Sequence, residues 1–243
     1  MAKITNPNDI VEEIVADYRA ALGDVLVSVI MYGSAVTHEY RPGSSDINLA
    51  IVVSDDSIAQ IGKCADVQKK WGRRNVTAPF FMTRVYIERS LDTYPIEFLD
   101  MKNNYRVLEG EDVLGGLTIR REHLRLQCER ELKGASIHLR KAYVQSGGNQ
   151  RMLRELLDTS VRTLVPVFKA MLILAERSIP ASKSEVISAL EERYSLAASV
   201  ISVAFQSAAS KPGKNYFEIF DAYVRAVDRL SEAVDGMTNE GSV

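Results

Sequence analysis

Met31-Tyr32-Gly33-Ser34, then eleven residues, then Asp46-Ile47-Asn48-Leu49-Ala50-Ile51-Val52 is the stretch on which the reading of this chain turns. Before it, Val25 to Tyr32 is a β-branched apolar run that predicts a buried strand ending at Gly33. After it, Ile47 to Val53 predicts a second. A Gly-Ser pair directly after a buried strand lets backbone N–H groups and a hydroxyl approach a phosphate, because glycine has no Cβ in the way. Asp46 and Asn48 are two apart on the second strand, so their side chains share a face. The competing reading is that Ser34 and Asp46 merely cap turns, as these residue types often do.

Working outward, Asn6-Pro7-Asn8-Asp9 predicts a helix start, with Asn6 as N-cap and Pro7 in the first turn. Ile10, Ile14, Tyr18 and Leu22 continue at helical spacing to Gly23. Ser57 to about Arg74 predicts a helix, Val76 to Thr83 and Ile96 to Met101 predict strands, and Val85 to Leu91 a short helix. Beyond Gly115-Gly116 the strands stop. Leu117 to about Gln145, then 150–177 with Pro166 expected to kink it, then Ser182 to Tyr194, Leu196 to Phe205 and Tyr216 to Val234 predict successive helices. The tail from Gly236 to Val243 is expected to fray. The fold class expected is an α/β (α+β) domain over 1–114 followed by an all-α helical bundle over 115–243.

Composition excludes more than it identifies. Residues 1–114 hold 12 Lys/Arg against 17 Asp/Glu and residues 115–243 hold 18 against 15, so neither part carries the strong field of a nucleic-acid binder. Cys64 and Cys128 lack metal-ligand spacing and are expected to be small buried hydrophobes. No apolar h-region follows Lys3 and no apolar run reaches the ~18 residues of a membrane span, so a cytoplasmic protein without membrane partners is expected.

The Gly-Ser, loop and Asp-x-Asn pattern resembles the nucleotidyltransferase superfamily, which includes DNA polymerase beta and kanamycin nucleotidyltransferase. Gly33, Ser34, Asp46 and the apolar run after them match its signature, over about residues 10–110. The helical region is similar in outline to the bundle that follows the catalytic domain in antibiotic nucleotidyltransferases. The resemblance implies a mixed sheet and transfer of a nucleoside monophosphate from a triphosphate, ATP with Mg²⁺ or Mn²⁺, to a hydroxyl of a small molecule or protein. It makes Asp46, Asn48 and Glu97 the catalytic positions, Asp46 and Glu97 the metal ligands, and Gly33, Ser34 and Ser45 nucleotide contacts; Arg41 is a further candidate contact from its place in the loop between Ser34 and Asp46, which could equally be a flexible polar surface loop.

Asp100 is the alternative third acid, with the opposite strand parity from Glu97. The departure is Asn48, where the pattern has an acid and an amide supplies only a neutral oxygen. The alternative is therefore a catalytically impaired fold serving as a nucleotide-binding or partner-binding regulatory module. A homodimer is compatible with the architecture. Arg121 and Arg125, one turn apart, could meet an anionic substrate or belong to a helix face with pairs such as Arg125–Glu129.

Overall fold

The computed structural model describes residues 4–196, 199–207 and 215–237. The chain divides into two compact units, Met1–Leu91 with Glu97–Thr118, and Asp92–Ile96 with Ile119–Val243.

The first unit opens as its caps dictate. Asn6 accepts a hydrogen bond from the Asn8 N–H, a 3-10 turn covers Pro7–Ile10, and helix α1 spans Val11–Leu22. Strands β1 (Leu26–Tyr32) and β2 (Asn48–Val53) follow. The long helix expected over Ser57–Arg74 is instead α2 (Ile58–Ile61), a 3-10 turn through Gly62–Cys64, and α3 (Ala65–Gly72). Glycine is the weakest helix former short of proline, which accounts for the break at Gly62. Strand β3 is only Phe80–Met82, because Pro79 has no N–H for a ladder; Val76 makes an isolated parallel bridge to Ile47. Helix α4 spans Arg84–Ser90.

The strand expected over Ile96–Met101 is helix α5 (Pro95–Asn103), with proline at its first position, where a fixed φ suits a helix and the missing N–H costs nothing. The strand comes afterwards, as β4 (Tyr105–Gly110). The sheet order is β3-β2-β1-β4, with β1 antiparallel to β2 and β4 and β2 parallel to β3, so the sheet is mixed. One face buries Val29, Met31, Ile47, Leu49, Ile51 and Val53 with Ile14, Tyr18 and Trp71. Ile30, Ala50 and Val52, of opposite parity, are equally buried, so both faces are covered.

The second unit is helical: α6 (Arg121–Ser146), α7 (Gln150–Leu174), α8 (Lys183–Arg193), α9 (Val200–Ser207) and α10 (Tyr216–Asp235). Helix α7 runs through Pro166 and buries Leu153, Leu157, Val161, Leu164 and Phe168 along one stripe. A capping box of Ser182 and Glu185 starts α8. Glu191, 6% exposed, accepts from the Ile201 and Ser202 N–H groups and the Ser202 hydroxyl, satisfying the start of α9. Ala197 and Ala198 of the expected fourth helix, and the tail beyond Met237, lie outside the described residues.

Candidate active site

Strand β1 delivers the chain to Gly33, whose φ of 77° is left-handed and whose N–H donates to the Asn104 carbonyl at 2.8 Å. A 3-10 turn, Gly33–Val36, follows. Thr37 closes it by donating from both its N–H and its hydroxyl to the Ser34 carbonyl, at 3.1 and 3.2 Å. The loop then folds on itself. The Ser45 hydroxyl accepts from the Arg41 N–H at 3.0 Å and the Ser45 N–H donates to the Arg41 carbonyl at 2.9 Å. Ser45 thus spends its hydroxyl on shaping the loop, while the Arg41 side chain is exposed.

Asn48 opens β2 and is half-buried, and Asp46, two residues earlier and outside the strand, is exposed. Asn48 is opposite Tyr32 on β1, which brings it beside Gly33. Its amide has a defined orientation. Thr77 Oγ1 donates to Asn48 Oδ1 at 2.9 Å, with the Ile47 carbonyl a longer acceptor at 3.3 Å. The other end of the amide, Nδ2, faces the turn: a Cβ placed on Gly33 would lie 3.4 Å from it. Thr77 is held there because its own N–H donates to the Ile47 carbonyl at 3.0 Å, next to the Val76–Ile47 bridge.

Around Tyr32 the site gains an aromatic and an acid. Phe80, 55% exposed, stacks on the Tyr32 ring with centroids 6.4 Å apart and planes inclined by 19°. Burial pushes the Tyr32 phenol up to about 12, and the negative charge of Asp100 adds to the rise. The parity argument that set Glu97 against Asp100 falls with the strand that carried it. On α5 the two acids are three residues apart and lie on one side of the helix, with Glu97 exposed and Asp100 half-buried.

Among the described residues, no group of three or more His, Cys, Asp or Glu side chains is close enough to share a metal ion. With Asn48 neutral, position 48 brings no negative charge to a cation, and one of the two lone pairs of its oxygen already accepts from Thr77. Thr77, Phe80 and Tyr32 were not singled out by sequence. The one available signal was the apolar Val76, which pairs its segment with the residue before Asn48.

Residues of the helical unit weighed as anion contacts have other employment. Arg121 donates to the Leu174 carbonyl, and Arg125 bonds Glu129 at 2.9 Å and the Val234 carbonyl at 3.5 Å. Lys133, together with Arg125, holds the Glu129 carboxyl below its usual range. A cavity of about 490 Å³ in the first unit is lined by Asn8, Thr37, His38, Tyr105 and Arg106, and neither Asp46 nor Asn48 lines it. Cys64 and Cys128 are buried and unpaired, and burial lifts the Cys128 thiol to about 12. No helix among the described residues is long and apolar enough to cross a membrane.

No family model matches the chain, and no curated protein does. Among solved structures it is similar to the crystal structure of spectinomycin adenyltransferase AAD(9) from Enterococcus faecialis with ATP and spectinomycin. The identity is 15%, the TM-score 0.57, and the match covers 93% of this chain and 99% of that one. At that identity the likeness speaks to the fold. The chain has the nucleotidyltransferase fold, a mixed four-stranded sheet with helices followed by a helical carboxy-terminal region, as the resemblance of the Gly-Ser and Asp46 motif implied.

Proposed function

We propose that this chain transfers a nucleoside monophosphate from a nucleoside triphosphate, preferentially ATP, to a hydroxyl group, and that the acceptor is a small molecule rather than a protein. The observation that carries this reading is the conjunction at the end of β1: the Gly33–Val36 turn, with Asn48 against it and the exposed Asp46 two residues before. The similar structure, with ATP and spectinomycin, supports the choice of nucleotide and of a small-molecule acceptor.

In this reading Gly33 and Ser34 cradle phosphate oxygens, and Asp46 holds a single Mg²⁺ or Mn²⁺ with help from an acid of α5. Glu97 is the acid that the motif assigns to that role, and Asp100, on the same side of α5, is the alternative. A bound divalent ion supplies charge neutralisation on the phosphates. The acceptor oxygen attacks the α-phosphorus, the bond to the bridging oxygen of pyrophosphate breaks, and the hydroxyl proton passes to a carboxylate, for which Asp100 is the candidate. Arg41, exposed on the loop, is available to the outgoing pyrophosphate. The reaction needs no membrane or nucleic acid and suits a cytoplasmic protein.

The test is pyrophosphate release from ATP with Mg²⁺ or Mn²⁺ across a panel of polyhydroxylated small molecules. Acceptor-dependent release by the wild type, lost in Asp46→Ala, is the expected result. ATP binding without release for any acceptor would replace this reading with a nucleotide-binding regulatory module, the role that a neutral Asn48 would suit.

A further inference from the structure

We propose, resting on the nucleotidyltransferase reading of this face, that Asn48 serves as a hydrogen-bond donor to the triphosphate and that Thr77 is the positioning residue that fixes it in that role. An asparagine side chain offers an acceptor oxygen at one end and donor hydrogens at the other. A cation needs the first and a phosphate the second. The Thr77 hydroxyl, 2.9 Å from Oδ1, occupies one lone pair of the oxygen and turns that end towards the segment before β3. The nitrogen end is thereby turned towards Gly33, within 3.4 Å of the place a Cβ there would fill.

Rotating the amide to offer its oxygen to a metal would exchange the 2.9 Å bond from Thr77 for one in which the hydroxyl accepts from Nδ2 and its single proton turns to the more distant Ile47 carbonyl, 3.3 Å away. The Thr77 backbone is anchored by its own N–H, which donates to the Ile47 carbonyl at 3.0 Å, and of the two acceptors near its hydroxyl Asn48 Oδ1 is the nearer. A carboxylate at position 48 would accept from Thr77 equally well, yet would set negative charge towards the turn and repel phosphate unless a cation lay between. One amide for one carboxylate thus exchanges a cation-bridged contact for a direct one. The ligand class is the triphosphate of a nucleoside triphosphate, and its ground-state binding does not depend on metal, whatever the metal contributes to the transfer step.

The experiment is calorimetric titration of ATP and of inorganic tripolyphosphate into the full chain, in Mg²⁺ and in EDTA, for wild type, Asn48→Asp, Thr77→Val and Thr77→Ser. Wild-type affinity for ATP should differ by less than about threefold between the two conditions. Asn48→Asp should lose at least about tenfold in EDTA and recover in Mg²⁺, the scale of one charge-assisted hydrogen bond. Thr77→Val should weaken metal-free binding by about threefold or more, and Thr77→Ser, which keeps the hydroxyl, should restore it. Wild-type binding that requires Mg²⁺ would overturn the proposal and leave the transferase reading standing, with Asn48 a metal ligand. Absence of ATP binding in both conditions would overturn both. Equal binding by Thr77→Val and wild type in EDTA would overturn the role given to Thr77.

Discussion

Two glycines of the first unit share a left-handed backbone and differ in what surrounds them, and replacing each by alanine separates the cost of conformation from the cost of collision. Gly33 has φ 77° and Gly110 has φ 82°. An L-residue in that region costs about 1–2 kcal/mol, so both substitutions begin with the same penalty. At Gly33 the new Cβ would meet only Asn48 Nδ2 at 3.4 Å, an ordinary contact. At Gly110 it would lie 2.0 Å from the Val27 carbonyl oxygen and 2.9 Å from the Ser28 Cα, both backbone atoms of the neighbouring strand. The β1–β4 ladder must then move, which adds about 1–3 kcal/mol in the manner of an overpacked core.

Trp71 is the sole tryptophan and fully buried in this unit, so its fluorescence reports unfolding there. With a urea slope of about 2 kcal/mol/M, Gly33→Ala should lower the midpoint by about 0.5–1 M. Gly110→Ala should lower it by about 1–2.5 M or prevent folding. Gly33→Ala should nevertheless weaken ATP binding where fold is retained, because its Cβ stands where Nδ2 faces the turn. Equal midpoint losses for the two variants would refute the collision argument, and undiminished ATP affinity in Gly33→Ala would refute the placement of phosphate at that turn.

Glu191→Ala should destabilise the helical unit by about 2–4 kcal/mol, since the Ile201 and Ser202 N–H groups lose their acceptor, whereas Glu191→Gln keeps one oxygen for them and should cost about 1 kcal/mol. Urea unfolding followed by circular dichroism distinguishes these, and equal losses would show that the capping bonds carry no stability. Trp71→Ala should cost about 3–5 kcal/mol by emptying the core between α1 and α3. Trp71→Phe should cost less, losing chiefly the 2.7 Å bond from Nε1 to Asp17, a ranking that thermal melts check directly. Asp112 accepts from the Gly115 N–H, the Tyr105 hydroxyl and the Leu114 N–H, which hold its carboxyl below the usual range. Its contribution is present above the unfolded value of about 3.9 and is lost as pH falls through the folded one. Asp112→Asn should therefore flatten the acid limb of the stability profile below about pH 4, and an unchanged limb would count against it.

What could be read from the sequence follows from how far apart the deciding residues lie. The Asn6 cap, β1, β2 and the helices of the second unit are signalled by neighbours within a few positions, and those signals survive folding because packing agrees with them. Ile96-Glu97-Phe98-Leu99-Asp100-Met101 is different. Its polar residues invite a strand reading, while Pro95 and the pairs Ile96/Leu99 and Phe98/Met101, all buried, satisfy a helix. Strand β4 was hidden for the opposite reason. It is an edge strand with Arg106 and Glu109 among its residues, so only tertiary pairing with β1 gives it away.

The site divides along the same line. Gly33, Ser34, Asp46 and Asn48 fall within one hairpin-like stretch, and their pattern is local. What Asn48 does depends on Thr77, which reaches it through the parallel Val76–Ile47 bridge, across a connection that includes α2 and α3. Read alone, an asparagine at a carboxylate position is a lost metal ligand. With a hydroxyl fixed against its oxygen, the same residue has a directed nitrogen, and the chemistry to expect at position 48 changes from holding a cation to holding an anion.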